Sequence, residues 1–357
     1  MGPPEPGSAP ADAIGLLDAG PQADEPMLWR TDRLWHLLQP LLPGIGIEVL
    51  ERAESTNTQL LSRARVRPQP AAESEAALVH RSLESRAFGR RADDHQPLLL
   101  VAEQQTHGRG RQGRVWQSAR GRSLTFSLAL PFAPSDWSGL SLAVGLAVAD
   151  ALDPPASRPP GAPPRIGLKW PNDLWLMNPG DAMAQGAPDQ APGRKLGGVL
   201  IETISTSTQG TRRHTVVGVG LNIAPLGAGA EQAEWLAAHA CLREIDPSAT
   251  PPKVLLQIAQ PLVAMLLAFE REGFGPVMAR YAERDLLDGH LVRTTAGDAP
   301  EGRAVGVSAS GALRLDVGDR VLEITSGEVS VRLRDAPVTA PAPLSVDAPA
   351  AARRRDD

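Results

Sequence analysis

The chain has 357 residues, 42% of them hydrophobic but only 4% aromatic, enough for one large domain or two or three modest ones around a mainly aliphatic core. A formal net charge of −5 gives no electrostatic reason to expect nucleic-acid binding. The single cysteine, Cys241, excludes an intramolecular disulfide and a Cys-rich metal site, and no apolar run reaches the ~18 residues of a membrane span.

Residues 1–26 are rich in Pro, Ala, Gly and Asp, lack the basic-then-apolar order of a secretory signal, and read as a disordered tail of a cytoplasmic protein. Trp29–Leu42 is apolar at helical spacing and predicts a packing helix. Glu54-Ser55-Thr56-Asn57 opens a helix-like run, Thr58–Ala64, as an N-cap would. A Pro/Ala/Glu/Arg segment of about 63–96 reads as an inserted loop.

Leu98–Glu103 is an apolar run of strand length, and Ser123–Leu130 alternates at period two. Leu140–Leu152 has helical spacing with apolar residues on more than one face. Ile166–Trp170, Gly198–Ile204 and Thr215–Ile223 predict strands, separated by Pro/Gly-rich loops at Pro154–Pro164 and Asn178–Gly193. Glu231–Arg243 and Lys253–Gly273 predict helices, with Pro261 either kinking the second or marking its true start. Cys241 reads as a small core residue.

Beyond Asp288 the texture changes to short alternating segments: His290–Thr294, Gly302–Ser308, Ala312–Val317, Val321–Thr325 and Val329–Leu333. They predict a small five-stranded barrel. The expected organisation is a tail at 1–26, a body at 27–286, the barrel at 287–334 and a second tail at 335–357.

Three motifs carry chemistry. Gly108-Arg109-Gly110-Arg111-Gln112-Gly113-Arg114-Val115-Trp116 alternates glycines, which allow close backbone approach, with forked cations suited to phosphate oxygens. Three arginines so close repel one another when empty, so the loop is expected to order around an anion. Leu168-Lys169-Trp170-Pro171-Asn172-Asp173 ends a strand in a polar turn, and Arg194-Lys195-Leu196-Gly197-Gly198 brings a lysine into a strand. The chain has only three lysines, Lys169, Lys195 and Lys253, so two of them fall inside motifs that call for a compact ammonium. Val217-Gly218-Val219-Gly220-Leu221-Asn222 is a glycine-bearing strand without a dinucleotide fingerprint, and no P-loop occurs.

The order STN, QxxGRGRxGRxW, KWPND, RKLGGxLxE and GxGxN resembles the catalytic domain of biotin–protein ligases, over residues of about 45–334. The resemblance implies an α+β fold: a mixed β-sheet catalytic domain with a C-terminal SH3-like barrel. It implies ATP-dependent activation of biotin to biotinyl-5′-AMP, then transfer to a lysine of a biotin carboxyl carrier protein. ATP with Mg²⁺ and biotin are the implied substrates, with no tightly bound metal. Ser55, Thr56, Asn57 and Gln105 look like biotin-binding polar groups. Arg109, Gly110 and Arg111 look like the segment that closes over biotin and then its adenylate. Lys195 looks like the bridge between biotin carboxylate and α-phosphate, with Arg111 and Asp173 the other catalytic candidates. Arg114, Trp116, Asn172, Gly218, Gly220 and Asn222 look like the nucleotide side. The resemblance leaves open whether Asp173 and Asn172 touch the reacting atoms or support groups that do.

Some family members carry an N-terminal DNA-binding domain. The segment before Gly44 is too short for one, so no specific DNA binding is expected, and no membrane association. A homodimer is compatible with the resemblance. The weighed alternatives are a lipoate or octanoate ligase of the same superfamily and a biotin-sensing regulator. The complete Gly-Arg loop argues against both.

Overall fold

Strand Ser123–Pro131 alternates Leu124, Phe126, Leu128 and Leu130 with Thr125, Ser127 and Ala129, and that alternation assigns the two faces of the sheet. The computed structural model describes residues 27–65, 96–177, 193–205, 213–295, 301–325 and 332–333. The expected tails, nearly all of the 63–96 insertion and nearly all of the Asn178–Gly193 loop lie outside the described residues.

The body contains, in chain order, β1 (Gly46–Ala53), β2 (Leu98–Gln105), two short loop strands β3 (Gly108–Arg109) and β4 (Val115–Trp116), β5 (Ser123–Pro131), β6 (Ile166–Lys169), β7 (Asp173–Met177), β8 (Gly193–Ser205) and β9 (Arg213–Asn222). Seven of them form one sheet in the order β1-β2-β5-β9-β8-β7-β6. β1 and β2 run parallel and every other pair is antiparallel, so the sheet is mixed. The helices are α1 (Thr31–Leu38), α2 (Thr56–Arg65), α3 (Leu140–Leu152), α4 (Gly229–Ala238), α5 (Pro251–Glu272) and α6 (Met278–Ala282).

One face carries Phe126, Leu128, Val217, Val219 and Leu221 against α1, α3 and α5, the main core. α3 is buried nearly all round because it lies between α5 and the sheet, which explains its apolar residues on several faces. The other face meets α2, whose Leu60 and Leu61 cluster with Leu98, Leu100, Ala129 and Val216. At the start of α2 that face carries small or polar residues, Ser127 paired with Gly218 beneath Asn57, and beyond it Thr125 paired with Gly220, where no helix among the described residues packs on the sheet. This uncovered stretch is the floor of a cleft.

Three expectations about helices change. α5 runs without interruption from Pro251, so Pro261 neither starts nor ends it. Pro261 lies on the exposed side, where the lost N–H costs least, while Val254, Leu255, Ile258, Leu262 and Phe269 pack into the core. By length and composition α5 could span a membrane, contrary to the expectation from apolar runs, but half of the qualifying window is buried inside the protein. The predicted Glu231–Arg243 helix stops at Ala238. Ala240 donates its N–H to the Lys195 carbonyl at 2.9 Å, and Glu244 caps a short turn by accepting from the Cys241 N–H at 2.8 Å. Pairing with β8 outcompetes the last helical turn. Cys241 is fully buried there, its thiol pushed up to about 12 by burial.

The C-terminal strands are β10 (Leu291–Arg293), β11 (Glu301–Val307), β12 (Leu313–Asp316), β13 (Val321–Ile324) and β14 (Arg332–Leu333). They form an antiparallel sheet in the order β13-β12-β11-β10-β14. Among the described residues its two edges are not paired to each other, so the expected barrel is present as an open sheet. It meets the body where Trp170 donates from Nε1 to the Gly311 carbonyl at 3.0 Å, and the segment leading into it is anchored by buried Arg284, which donates to the Asp153 and Ile166 carbonyls at 2.7 and 2.8 Å.

Candidate active site

The Gly-Arg loop is a hairpin flap. β3 and β4 pair Gly108 with Trp116 and Arg109 with Val115, and a turn at Arg111–Gly113 forms the tip. Gly113 sits at φ 73°, which suits glycine, while Gln112 adopts φ 56° at an accompanying left-handed position. The flap overlies a cleft of about 500 Å³. Every site residue expected from the sequence lines this cleft: Ser55, Thr56, Asn57, Gln105, Arg109, Gly110, Arg111, Arg114, Trp116, Asn172, Asp173, Lys195, Gly218, Gly220 and Asn222.

One end is a polar pocket at the start of α2. The helix starts at Thr56, two residues before the predicted Thr58, and Ser55 is its N-cap, accepting from the Thr58 N–H at 3.4 Å. Gln105 Oε1 accepts from the Thr56 N–H at 2.8 Å. Ser127 Oγ lies 2.6 Å from both Thr56 Oγ1 and Asn57 Oδ1. One hydroxyl carries one proton, so donation to Asn57 leaves Ser127 accepting from Thr56. Asn57 Nδ2 donates to the Leu200 carbonyl at 3.2 Å and to Glu202 Oε2 at 3.0 Å. Gly218, expected with the nucleotide groups, lies here instead: a Cβ on it would stand 2.2 Å from Asn57 Oδ1. The glycine is what lets the amide lie flat on β9.

The middle of the cleft holds the charges. Lys195 Nζ donates to Asp173 Oδ1 at 2.8 Å. A register slip in the β7–β8 ladder places Lys195 opposite Trp175 and buries the neighbouring Leu196 in the core. The turn carrying Asp173 is held by Asn172, which donates to the Val199 carbonyl at 2.8 Å, and by Ser141, which donates to the Pro171 carbonyl at 2.8 Å. Arg111 is half-buried; its pKa is lowered by desolvation, with the Asp173 carboxylate acting in the opposite direction. Arg109 donates to Glu202 Oε1 and Thr58 Oγ1, both at 3.3 Å. Lys169 lies 4.3 Å from the centroid of the Trp175 ring, a cation–π contact, and Lys253 bonds locally to Ser248.

The far end is aromatic. The Trp116 ring lies on Gly220, where a Cβ would come within 2.6 Å of it. Trp116 Nε1 is buried with no hydrogen-bond partner among the described residues. Asn222 donates to the Lys195 and Ala240 carbonyls at 3.3 and 3.0 Å, so its amide braces the cleft wall. Trp235 and His239 stack with centroids 5.0 Å apart, and both line the cleft. Burial lowers the His239 pKa, and Lys195 lowers it further. Sequence reasoning missed this pair, although Trp and His four apart on a helix was a legible signal. It also missed Ser127, whose role depends on contacts across strands.

The mixed sheet, the α2 pocket, the flap and the appended antiparallel sheet make up the biotin/lipoate ligase fold. The Biotin/lipoate A/B protein ligase family profile matches residues 83–222, and that of the Biotin protein ligase C terminal domain matches 291–332. The bifunctional ligase/repressor BirA of Salmonella typhimurium is 29% identical, aligned over 85% of this chain and 87% of its own length. The biotin--[acetyl-CoA-carboxylase] ligase of Mycobacterium tuberculosis is 29% identical over 81% of this chain and 89% of its own. A solved biotin protein ligase from Aquifex aeolicus, in complex with biotin and ATP, superposes with a TM-score of 0.56 at 24% identity, covering 80% of this chain and 98% of that one. The chain belongs to the biotin protein ligase family.

Proposed function

We propose that the protein activates biotin with ATP to biotinyl-5′-AMP and transfers it to a lysine of a biotin carboxyl carrier protein. The observation that carries this reading is the Lys195–Asp173 pair lying between a polar pocket and an aromatic end under one arginine flap. A ligand with a polar head, a carboxylate and an adenylate fits that sequence of surfaces.

The α2 pocket offers donors and acceptors to a ureido ring. The biotin carboxylate then lies near Lys195, where its oxygen attacks the α-phosphorus of ATP. The bond from α-phosphorus to the bridging oxygen breaks and pyrophosphate leaves. A carboxylate and a triphosphate repel each other, and Lys195 and Arg111 offset that repulsion and stabilise the pentacoordinate transition state. Mg²⁺ carried in with ATP as part of the substrate would neutralise charge on the pyrophosphate. Asp173 holds the Lys195 ammonium in place until a substrate oxygen replaces it. Trp116 and Trp235 provide apolar surface for the base.

The mixed anhydride hydrolyses in water, so the flap must stay shut between steps. The carrier lysine amine attacks the biotinyl carbonyl carbon, AMP leaves, and the amine proton passes to solvent. A cytoplasmic location, where ATP is available, belongs to the same proposal. The test is a mass shift on a carrier-domain lysine that requires both biotin and ATP. Pyrophosphate release with lipoate and not with biotin would replace the reading with a lipoate ligase.

A further inference from the structure

Glu202 lies on β8 between the polar pocket and the flap, and no expected site role includes it. Its two oxygens are divided. Oε2 accepts from Asn57 Nδ2 at 3.0 Å, and Oε1 accepts from Arg109 Nη2 at 3.3 Å. Both N–H donors of the Asn57 amide are committed, to Glu202 and to the Leu200 carbonyl, and its Oδ1 accepts from Ser127. Its orientation therefore depends on the carboxylate behind it. Arg109 is the first arginine of the flap, and apart from Glu202 its guanidinium holds Thr58 Oγ1, one turn into α2. One carboxylate thus ties the floor of the pocket to the root of the flap.

This bears on the repulsion expected among the loop arginines. Without ligand, Arg109 already faces Glu202, and Lys195 faces Asp173. The cleft supplies its own anions at two of the points where a bound carboxylate or phosphate would otherwise be needed. The two pairs differ in reach. Asp173 sits in the middle of the cleft, where substrate oxygens compete for its lysine. Glu202 also contacts the pocket through its second oxygen, so a change at Asn57 is felt at Arg109 through a rigid two-oxygen group.

We propose that Glu202 is a positioning residue that couples occupation of the Asn57 pocket to the seating of the Gly-Arg flap. It acts through Arg109 and Asn57 rather than by touching the reacting atoms. The link to biotin rests on the proposed function above, whereas the latch on the flap does not.

Two substitutions separate the two oxygens. In Glu202→Gln the side-chain carbonyl still accepts from Asn57, but the new amide N–H₂ faces the guanidinium of Arg109, donor against donor. In Glu202→Ala both contacts are lost. Hydrogen–deuterium exchange of the peptide spanning Gly108–Trp116, in ligand-free protein, reads the latch. Both variants are expected to exchange about three- to fivefold faster there than the parent, as for a partly exposed ion pair. Biotin affinity by calorimetry reads the pocket. Glu202→Gln, which keeps an acceptor for Asn57 but loses the latch, is expected to weaken by about threefold, and Glu202→Ala, which loses both contacts, by about tenfold or more. Arg109→Gln is expected to speed exchange as Glu202→Gln does, and the double variant to add nothing further.

Exchange at the parent rate in both Glu202 variants overturns the latch. Biotin affinity lost equally in Glu202→Gln and Glu202→Ala overturns the division between the oxygens. If the parent itself binds no biotin, the proposed function fails, and the ligand-free exchange still decides the latch.

Discussion

Lys195 Nζ and Asp173 Oδ1 meet at 2.8 Å across the β7–β8 ladder, and both side chains are partly exposed to the cleft. An ion pair open to solvent contributes little to stability. Its place between the polar pocket and the aromatic end accounts for it better than fold stability does. Lys195→Ala is expected to lower the rate of adenylate formation by about 10³-fold while changing Tm by no more than about 2 °C. Lys195→Arg is not expected to restore the rate, because a planar fork does not replace a compact ammonium at this position. Single-turnover pyrophosphate release and a thermal melt check both.

Gly218 and Gly220 stand two residues apart on β9 yet serve different ends of the cleft. Gly218→Ala pushes on Asn57 and is expected to raise the KM for biotin by about tenfold with little change for ATP. Gly220→Ala pushes on the Trp116 ring and is expected to do the reverse. Steady-state kinetics with each substrate varied separates them. Equal effects on both substrates from either variant would remove the division of the cleft into two ends.

Arg111 is the half-buried cation of the flap tip. Arg111→Gly removes this cation and, on the proposed function, is expected to release the adenylate into solution. Biotinylation of an unrelated bystander protein, read on a blot, then rises by about tenfold or more over the parent. No increase in bystander labelling counts against the gating role.

Asp285, where the chain leaves α6 for the C-terminal sheet, has its carboxyl pushed from the usual 3.8 up to about 7, chiefly by burial. Its Oδ2 has no hydrogen-bond partner among the described residues. The folded carboxyl keeps its proton to higher pH than the unfolded one. Between these two values the folded state binds more protons, so stability falls as pH rises from about 4 to about 7 and levels off above. Asp285→Asn is expected to raise Tm at pH of about 8 by a few degrees and to leave it unchanged near pH 4. A parallel pH dependence of Tm in the two proteins would show that the carboxyl does not titrate in this way.

The central strand β5 and the helix α3 were legible from their periodicity, whereas β1 (Gly46–Ala53) and β7 (Asp173–Met177) were not predicted. Ser123–Pro131 extends the predicted segment by one residue, and Leu140–Leu152 matches its predicted bounds. The α4 boundary was not legible. Glu231–Arg243 has an unbroken helical composition, and only the bond from Ala240 to the Lys195 carbonyl ends the helix. The unbroken course of α5 through Pro261 is of the same kind, since solvent exposure of the proline is a tertiary fact.

The order of residues sets the chemistry available to this protein: the arginine flap, one lysine kept in β8 where arginine is otherwise preferred, the Ser-Thr-Asn start of α2, and the glycines of β9. Residue type and local spacing are enough for that, because charge, hydrogen-bonding capacity and the absence of a Cβ are properties of single residues. Which of them meet follows from the folded arrangement of the sheet. Gly218 serves Asn57 and Gly220 serves Trp116 because strand register places each under a different neighbour. Lys195 finds Asp173 through a slip in one ladder. Glu202 joins Asn57 to Arg109, residues 145 and 93 positions away along the chain, because β8 runs beneath both α2 and the flap. Contacts of such separation leave no periodicity in the sequence. They follow from how the sheet is ordered and which face is left uncovered.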